Sequence, residues 1–399
     1  MRFRHPDGST VHLAYCTNVH PAENLDGVLA QLRDHCEPVR RRLGRDRLGI
    51  GLWLARDAAR ALTADPAALR RLRAELDRRG LEVVTLNGFP YEGFGAGQVK
   101  YRVYRPDWTE PARLAYTEDL AGLLAALLPE DAAYGTISTL PLAWRTRFDA
   151  DPAAAGAARG ALVRLSARLD ALEEATGRSV RVGLEPEPGC TVETTADAIA
   201  PLAGIAGSTG SGGGRIGLCL DTCHLATSFE EPDTALAALA GAGVPVYKCQ
   251  LSAALHAEHP DRPEVRAALA EYAEPRFLHQ TRTRTADGVL HGTDDLGEAL
   301  AAGGALPDSA PWRAHFHMPL HAAPEPPLTT TLPVLREALA GLVGGDCAVT
   351  HHLEVETYTW QALPPALRPT GPASLADGIA AELALARDLL TDLGLKELP

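Results

Sequence analysis

The chain has 399 residues, long for one ordinary domain but within the range of α/β barrels that carry insertions. Its hydrophobic fraction of 46% supplies a large buried core, and its net charge of −13 opposes a phosphate backbone, which disfavours nucleic acid as a partner. Seven cysteines with no CxxC pair argue against a disulfide framework; a polar start and no apolar run long enough to span a bilayer give a cytoplasmic protein without a transmembrane segment as the expectation.

Short apolar runs alternate with longer amphipathic stretches rich in Ala, Leu and Arg, the pattern of parallel βαβ units. In chain order the strands are predicted at 13–18, 48–54, 81–87, 133–140, 180–185, 215–221, 244–251 and 350–358. Helices are predicted at about 22–43, 57–79, 110–128, 153–176, 194–206, 231–241, 329–343 and 373–394. Eight strands, each followed by a helix, make a (β/α)8 TIM barrel, expected as one domain over 1–399. Two stretches break the rhythm. One, about 88–109, is rich in Gly, aromatic residues and Arg. The other, about 252–327, holds seven histidines and follows the seventh strand, so it would lie over the C-terminal face, where barrel active sites form. The Gly-rich 208–214 lacks the Lys-Ser/Thr ending of a phosphate loop and reads as a turn.

Three strands run into carboxylates at their C-terminal ends: Glu185 in Gly-Leu-Glu-Pro-Glu-Pro-Gly, Asp221 in Leu-Asp-Thr-Cys-His, and Glu354 and Glu356 in His-His-Leu-Glu-Val-Glu-Thr-Tyr. Acids converging on one barrel mouth repel one another, and a divalent cation is the simplest way to keep them ionised. Carboxylates alone favour Mg or Mn; added imidazoles shift the preference toward Mn, Fe or Zn. The candidate imidazoles are His224, three residues after Asp221, and His315 and His317, which share one face of an extended segment. Each residue has a plainer reading: Asp221 as a helix cap, His224 as a hydrogen-bonded core residue, His315 as a substrate contact and not a ligand. His256, His259, His279 and His291 read as loop residues without a metal role. Lys248 and Gln250 alternate as inward residues of the seventh strand and can contact substrate or fill the barrel. Asn18, His20 and Asn87 suit substrate hydroxyls or, equally, turns. Phe89, Tyr91 and Trp108 either wall the pocket or anchor the loop.

At these residues the chain resembles the xylose-isomerase-like barrel superfamily, which includes sugar isomerases and epimerases and the endonuclease IV type of repair enzyme. Asp-Thr-Cys-His is similar to the metal motif of the latter, and Gly-Leu-Glu and Val-Glu-Thr are similar to the family's fifth- and eighth-strand glutamates. The resemblance implies metal ligation by Glu185, Asp221, His224, His317 and Glu356, with Glu356 preferred to Glu354, which joins the substrate contacts. It departs at the seventh strand, where Lys248 or Gln250 stands in place of a histidine, and at the third, where Asn87 does. One metal, or at most two, follows. A narrower set of segments, among them CTNVHPAE, LNGFPYEGF, HFHMP and HHLEVETYTW, resembles the EboE family of metabolite traffic proteins, which implies a setting in secondary-metabolite processing or export and possible association with other Ebo-type proteins.

The leading expectation is a metal-dependent isomerase or epimerase acting on a small polyhydroxylated or secondary-metabolite precursor. Glu185 or Glu356 would move a proton, and Lys248 would stabilise an enediolate. The alternatives are a metal-dependent phosphodiesterase of the endonuclease IV type and a non-catalytic metabolite binder.

Overall fold

The computed structural model describes residues 1–205, 214–304 and 306–399, so the turn expected at 208–214 lies, but for Gly214, outside the described residues. Eight parallel strands close into a barrel: β1 (Thr10–Cys16), β2 (Leu48–Trp53), β3 (Leu81–Asn87), β4 (Gly135–Thr139), β5 (Val180–Leu184), β6 (Ile216–Asp221), β7 (Val246–Leu251) and β8 (His352–Val355). Closure is made by β8, which pairs in parallel with both β7 and β1. A helix segment follows each strand on the outside, so both faces of every strand are covered, which is why these segments read as near-continuous apolar runs.

Departures from the expected boundaries have local causes. The helix expected over 57–79 is two helices, Arg56–Ala64 and Pro66–Arg79, because Asp65 caps the second by accepting from Ala67 N and Pro66 cannot continue the first. The eighth strand ends at Val355, three residues early, and Glu356 already faces the mouth. Outside the barrel, Arg2–Arg4 pairs antiparallel with β1 and with Lys396–Glu397, tying the two chain ends to the strand.

The two insertions are where expected, after β3 and β7. The second is folded, with its own five-stranded antiparallel sheet made of Leu255–Ala257, Thr281–Arg284, Leu290–Thr293, Trp312–Ala314 and Thr329–Thr330. The main apolar cluster runs from Met1 to Leu395 and includes Leu255, Trp312 and Phe316 of this insertion. No described helix is long and apolar enough to cross a membrane.

Inside the barrel the alternate side chains are polar. Lys248 on β7 reaches Ser138 on β4 and forms a 3.0 Å ion pair with Glu354 on β8, both partners fully buried. The carboxylate occupies the space that a side chain on β2 would take: a Cβ at Gly51 would lie 1.8 Å from Glu354 Oε2. Burial alone would lower the Lys248 ammonium, but Glu354 outweighs it and keeps the ammonium charged.

Glu382, on the last helix (Pro372–Asp392), is another buried acid; its Oε1 accepts from Leu320 N and Thr357 Oγ1. Burial pushes it from 4.5 up to about 7. A carboxyl raised on folding keeps its proton while the unfolded chain loses one, so stability is intact below pH 4.5 and falls as pH rises to about 7. At ~1.4 kcal/mol per pH unit the cost is on the order of 3 kcal/mol. Glu382→Gln, which keeps the accepting oxygen, is therefore expected to raise the melting temperature at pH 8 and to leave it nearly unchanged at pH 4; scanning calorimetry at both pH values checks this.

Candidate metal centre

The site sits at the C-terminal mouth, and each of its side chains is placed by a strand end or by the second insertion. β6 ends in Asp221, which serves two purposes. Its Oδ1 caps the helix Thr222–Thr227 by accepting from Cys223 N and His224 N, and it also accepts from Ser252 Oγ. Its Oδ2 is buried without a hydrogen-bond partner and faces the Nε2 atoms of His224 at 3.9 Å and His317 at 4.0 Å. Both readings of Asp221, cap and ligand, are thus compatible, because the carboxylate divides its oxygens between them.

The three imidazoles carry the decisive geometry. His224 Nδ1 lies 2.8 Å from Pro186 O and His317 Nδ1 lies 2.6 Å from Glu356 O. A carbonyl only accepts, so each Nδ1 must donate. His315 Nδ1 lies 2.8 Å from Gln280 Oε1. The Gln280 amide is oriented by its Nε2, which donates to Pro188 O and Tyr104 Oη, leaving Oε1 to accept from His315. All three rings therefore hold their proton on Nδ1 and turn an Nε2 lone pair inward. Those Nε2 atoms are 3.0 Å apart between His224 and His315 and 3.1 Å apart between His315 and His317. Neither ring of such a pair can donate to the other. Burial, then the neighbouring imidazoles, push His315 well below 6.5, and burial lowers His317 to about 4 despite Asp221, so protonating either of these two rings is not an easy remedy at neutral pH. A divalent cation accepting these lone pairs is the group the donors fit.

The carboxylates form an adjoining set. Oxygens of Glu185, Asp221 and Glu356 lie within 4.8 Å of one another, as do single atoms of Asp221, His224 and His317, and of Cys223, His315 and His317. These groups suit a divalent metal. Glu356 Oε1 accepts from Asn18 Nδ2 at 2.6 Å and Asn87 Nδ2 at 2.8 Å. Glu185 Oε2 has no partner. Burial, then Glu356 and Asp221, raise Glu185 well above 4.5; burial, then Asp221 and Glu354, raise Glu356.

Other expected positions lie elsewhere. Lys248 and Glu354 satisfy each other inside the barrel and do not line the pocket, as neither does Gln250 beside Asp221 on the ladder. His20 leaves the mouth because the chain turns through a 3-10 helix at Thr17–Val19; its ring stacks on His35 at 4.0 Å. Trp108 is an anchor, donating to Leu140 O, and Tyr91 packs on Tyr116, whereas Phe89 does wall the pocket. His279, expected to be a loop residue, is buried with Nδ1 2.8 Å from His315 O. The sequence reading passed over Glu187, whose Oε1 accepts from Tyr104 Oη and whose Oε2 is 3.7 Å from His224 Nε2. Its two-residue spacing from Glu185 was the available signal.

No protein-family model matches the chain, and no curated protein matches it either. Solved structures do. A candidate sugar phosphate isomerase/epimerase from Anabaena variabilis superposes with a TM-score of 0.51 at 14% identity, over 97% of this chain and 100% of that one. The D-allulose 3-epimerase from Methylomonas sp. gives 0.50 at 12% identity, over 98% and 100%. What they share with this chain is the fold, a (β/α)8 barrel. At such identities the likeness concerns the backbone, and the chemistry rests on the side chains above.

Removing one member of the Lys248–Glu354 pair strands the other. Lys248→Met is expected to lower stability by about 3–5 kcal/mol, and Lys248→Met with Glu354→Leu to recover most of the loss. Urea unfolding of the three proteins measures both.

Proposed function

We propose that the protein is a divalent-metal-dependent enzyme of the isomerase or epimerase type acting on a small molecule that carries a carbonyl next to a hydroxyl-bearing carbon. The observation that carries this reading is the convergence of three Nε2 lone pairs and one unpartnered Asp221 oxygen beside two further carboxylates. Asp221, His224, His315 and His317 would hold the ion, and Glu185 and Glu356 would border it. Bound there, the cation supplies Lewis acidity toward a substrate oxygen.

The chain's own groups account for the remainder. Glu185 lines the pocket with a free Oε2 and moves the proton at the carbon beside the carbonyl; its buried setting keeps it basic enough for that task. Glu356 is oriented by the Asn18 and Asn87 amide groups, and Asn18 Oδ1, which has no hydrogen-bond partner, remains for a substrate hydroxyl. Lys248 keeps Glu354 neutralised beneath the floor, a supporting part in place of enediolate stabilisation. A setting in secondary-metabolite processing alongside Ebo-type proteins is supported by the sequence segments alone.

A metal-dependent hydrolase is the second reading, favoured by one observation: Asp221 belongs to two candidate ion-holding groups, one with Glu185 and Glu356 and one with His224 and His317. Two ions sharing a carboxylate suit phosphodiester cleavage.

Elemental analysis of protein purified without metal-affinity steps separates these. One equivalent of a divalent transition metal is expected, lost in His315→Ala/His317→Ala. Incubation with α-hydroxy ketones in deuterated water is expected to label the carbon next to the carbonyl, with Glu185→Gln slowing exchange by roughly 100-fold or more. Two equivalents with cleavage of bis-p-nitrophenyl phosphate would establish the hydrolase, and no metal in any preparation would remove both.

A further inference from the structure

The polar floor of the pocket is roofed by an apolar, largely aromatic collar. The cavity itself is about 50 Å3 and opens to solvent. Its polar groups, among them Asn18, Asn87, Glu185 and the three histidines, are gathered at the floor. Above them the lining is Phe89, Phe94, Val99, Val103, Phe277 and Leu278, completed by the rings of Tyr104 and Tyr358. The rings pack against one another: Phe94 and Phe277 have centroids 5.4 Å apart, Phe277 and Tyr358 4.9 Å, and Phe94 and Tyr358 5.4 Å.

These walls are two small apolar clusters distinct from the main core. One is built on Trp53, Phe94, Val99 and Phe277, the other on Phe89, Tyr104, Leu140 and Leu278. Both draw on the two insertions, which the barrel does not require for closure. Of the polar tips in the walls, Tyr104 Oη donates to Glu187, Lys100 at the pocket edge is paired with Asp295, and Tyr358 Oη lies 3.3 Å from His315 Nε2. A polyhydroxylated chain would therefore press hydroxyls against walls that offer few partners, and a buried unpaired hydroxyl weakens binding. An apolar ring would instead find aromatic faces and edges around it.

We infer that the substrate is amphiphilic: a small oxygenated head that reaches the metal centre, joined to an apolar ring-bearing body held by the aromatic collar. This rests on the metal-centre reading above and narrows its substrate from a polyol to an aryl or similarly unsaturated compound. The collar acts on binding, while Glu185 and the floor act on the head.

The probes are acetohydroxamate and benzohydroxamate, which share a metal-seeking head and differ in the ring. Calorimetric titration of the metal-loaded protein is expected to show benzohydroxamate binding on the order of 30-fold tighter. Phe277→Leu, which keeps apolar volume and removes the ring, is expected to cut that preference several-fold and to leave acetohydroxamate unchanged; should Phe277→Leu fail to fold, Phe94→Leu makes the same test. Equal affinity for the two probes overturns the proposal and leaves the metal centre standing. No binding of either probe to protein shown to contain metal also overturns it. Absence of metal in that preparation overturns the metal-centre reading and this proposal together.

Discussion

The constraint on which the mouth of this barrel depends is that like partial charges have been brought together and left facing one another. Three imidazoles are locked by their Nδ1 protons, each against a fixed oxygen acceptor, and the tautomer so chosen leaves lone pairs opposed at 3.0–3.1 Å. The locking acceptors are Pro186 O, Gln280 Oε1 and Glu356 O, contributed by the loop after β5, by the second insertion and by the end of β8. The arrangement is thus set from several elements at once. Such a cluster is costly to bury unless a donor or a cation completes it, and Tyr358 Oη lies 3.3 Å from His315 Nε2.

How much of this could be read from the sequence follows from where information is local. The eight strands were legible because parallel strands covered on both faces are written as unbroken apolar runs, and Leu81–Asn87 matches to the residue. Glu185, Asp221 and Glu356 were legible because an acid at the end of such a run stands out against it. The five-stranded sheet of the second insertion was not, since its strands are two to four residues long and carry no alternation to detect. Nor was the Lys248–Glu354 pair: residues two apart on a strand share a face, so alternation could place Glu354 and Glu356 inward but could not say which of them met the ammonium. His20 misled for a similar reason, since a single 3-10 turn after β1 separates it from Asn18.

The division between barrel and insertions is also a division of labour. Strand ends supply the carboxylates, His224 follows β6, and the barrel interior carries the buried ion pair that supports the floor. The insertions supply His315, His317 and nearly all of the apolar lining. Chemistry set by strand ends and selectivity set by loops is the usual economy of this architecture. Here the loops reach further down, because two of the candidate metal ligands belong to them.

That last feature has a thermodynamic corollary. His315 and His317 flank Phe316, which is buried against Tyr272, and His315 O lies within hydrogen-bonding distance of His279 Nδ1, two residues from Phe277. A single hydrogen bond thus joins the segment of the histidine cluster to the segment that carries Phe277 of the pocket wall. Any coupling carried by that contact is reciprocal: what one ligand adds to the affinity of the other is returned in equal measure. Cation and amphiphile would then bind as a cooperative pair, with selectivity for the organic molecule conditional on occupancy by the inorganic one.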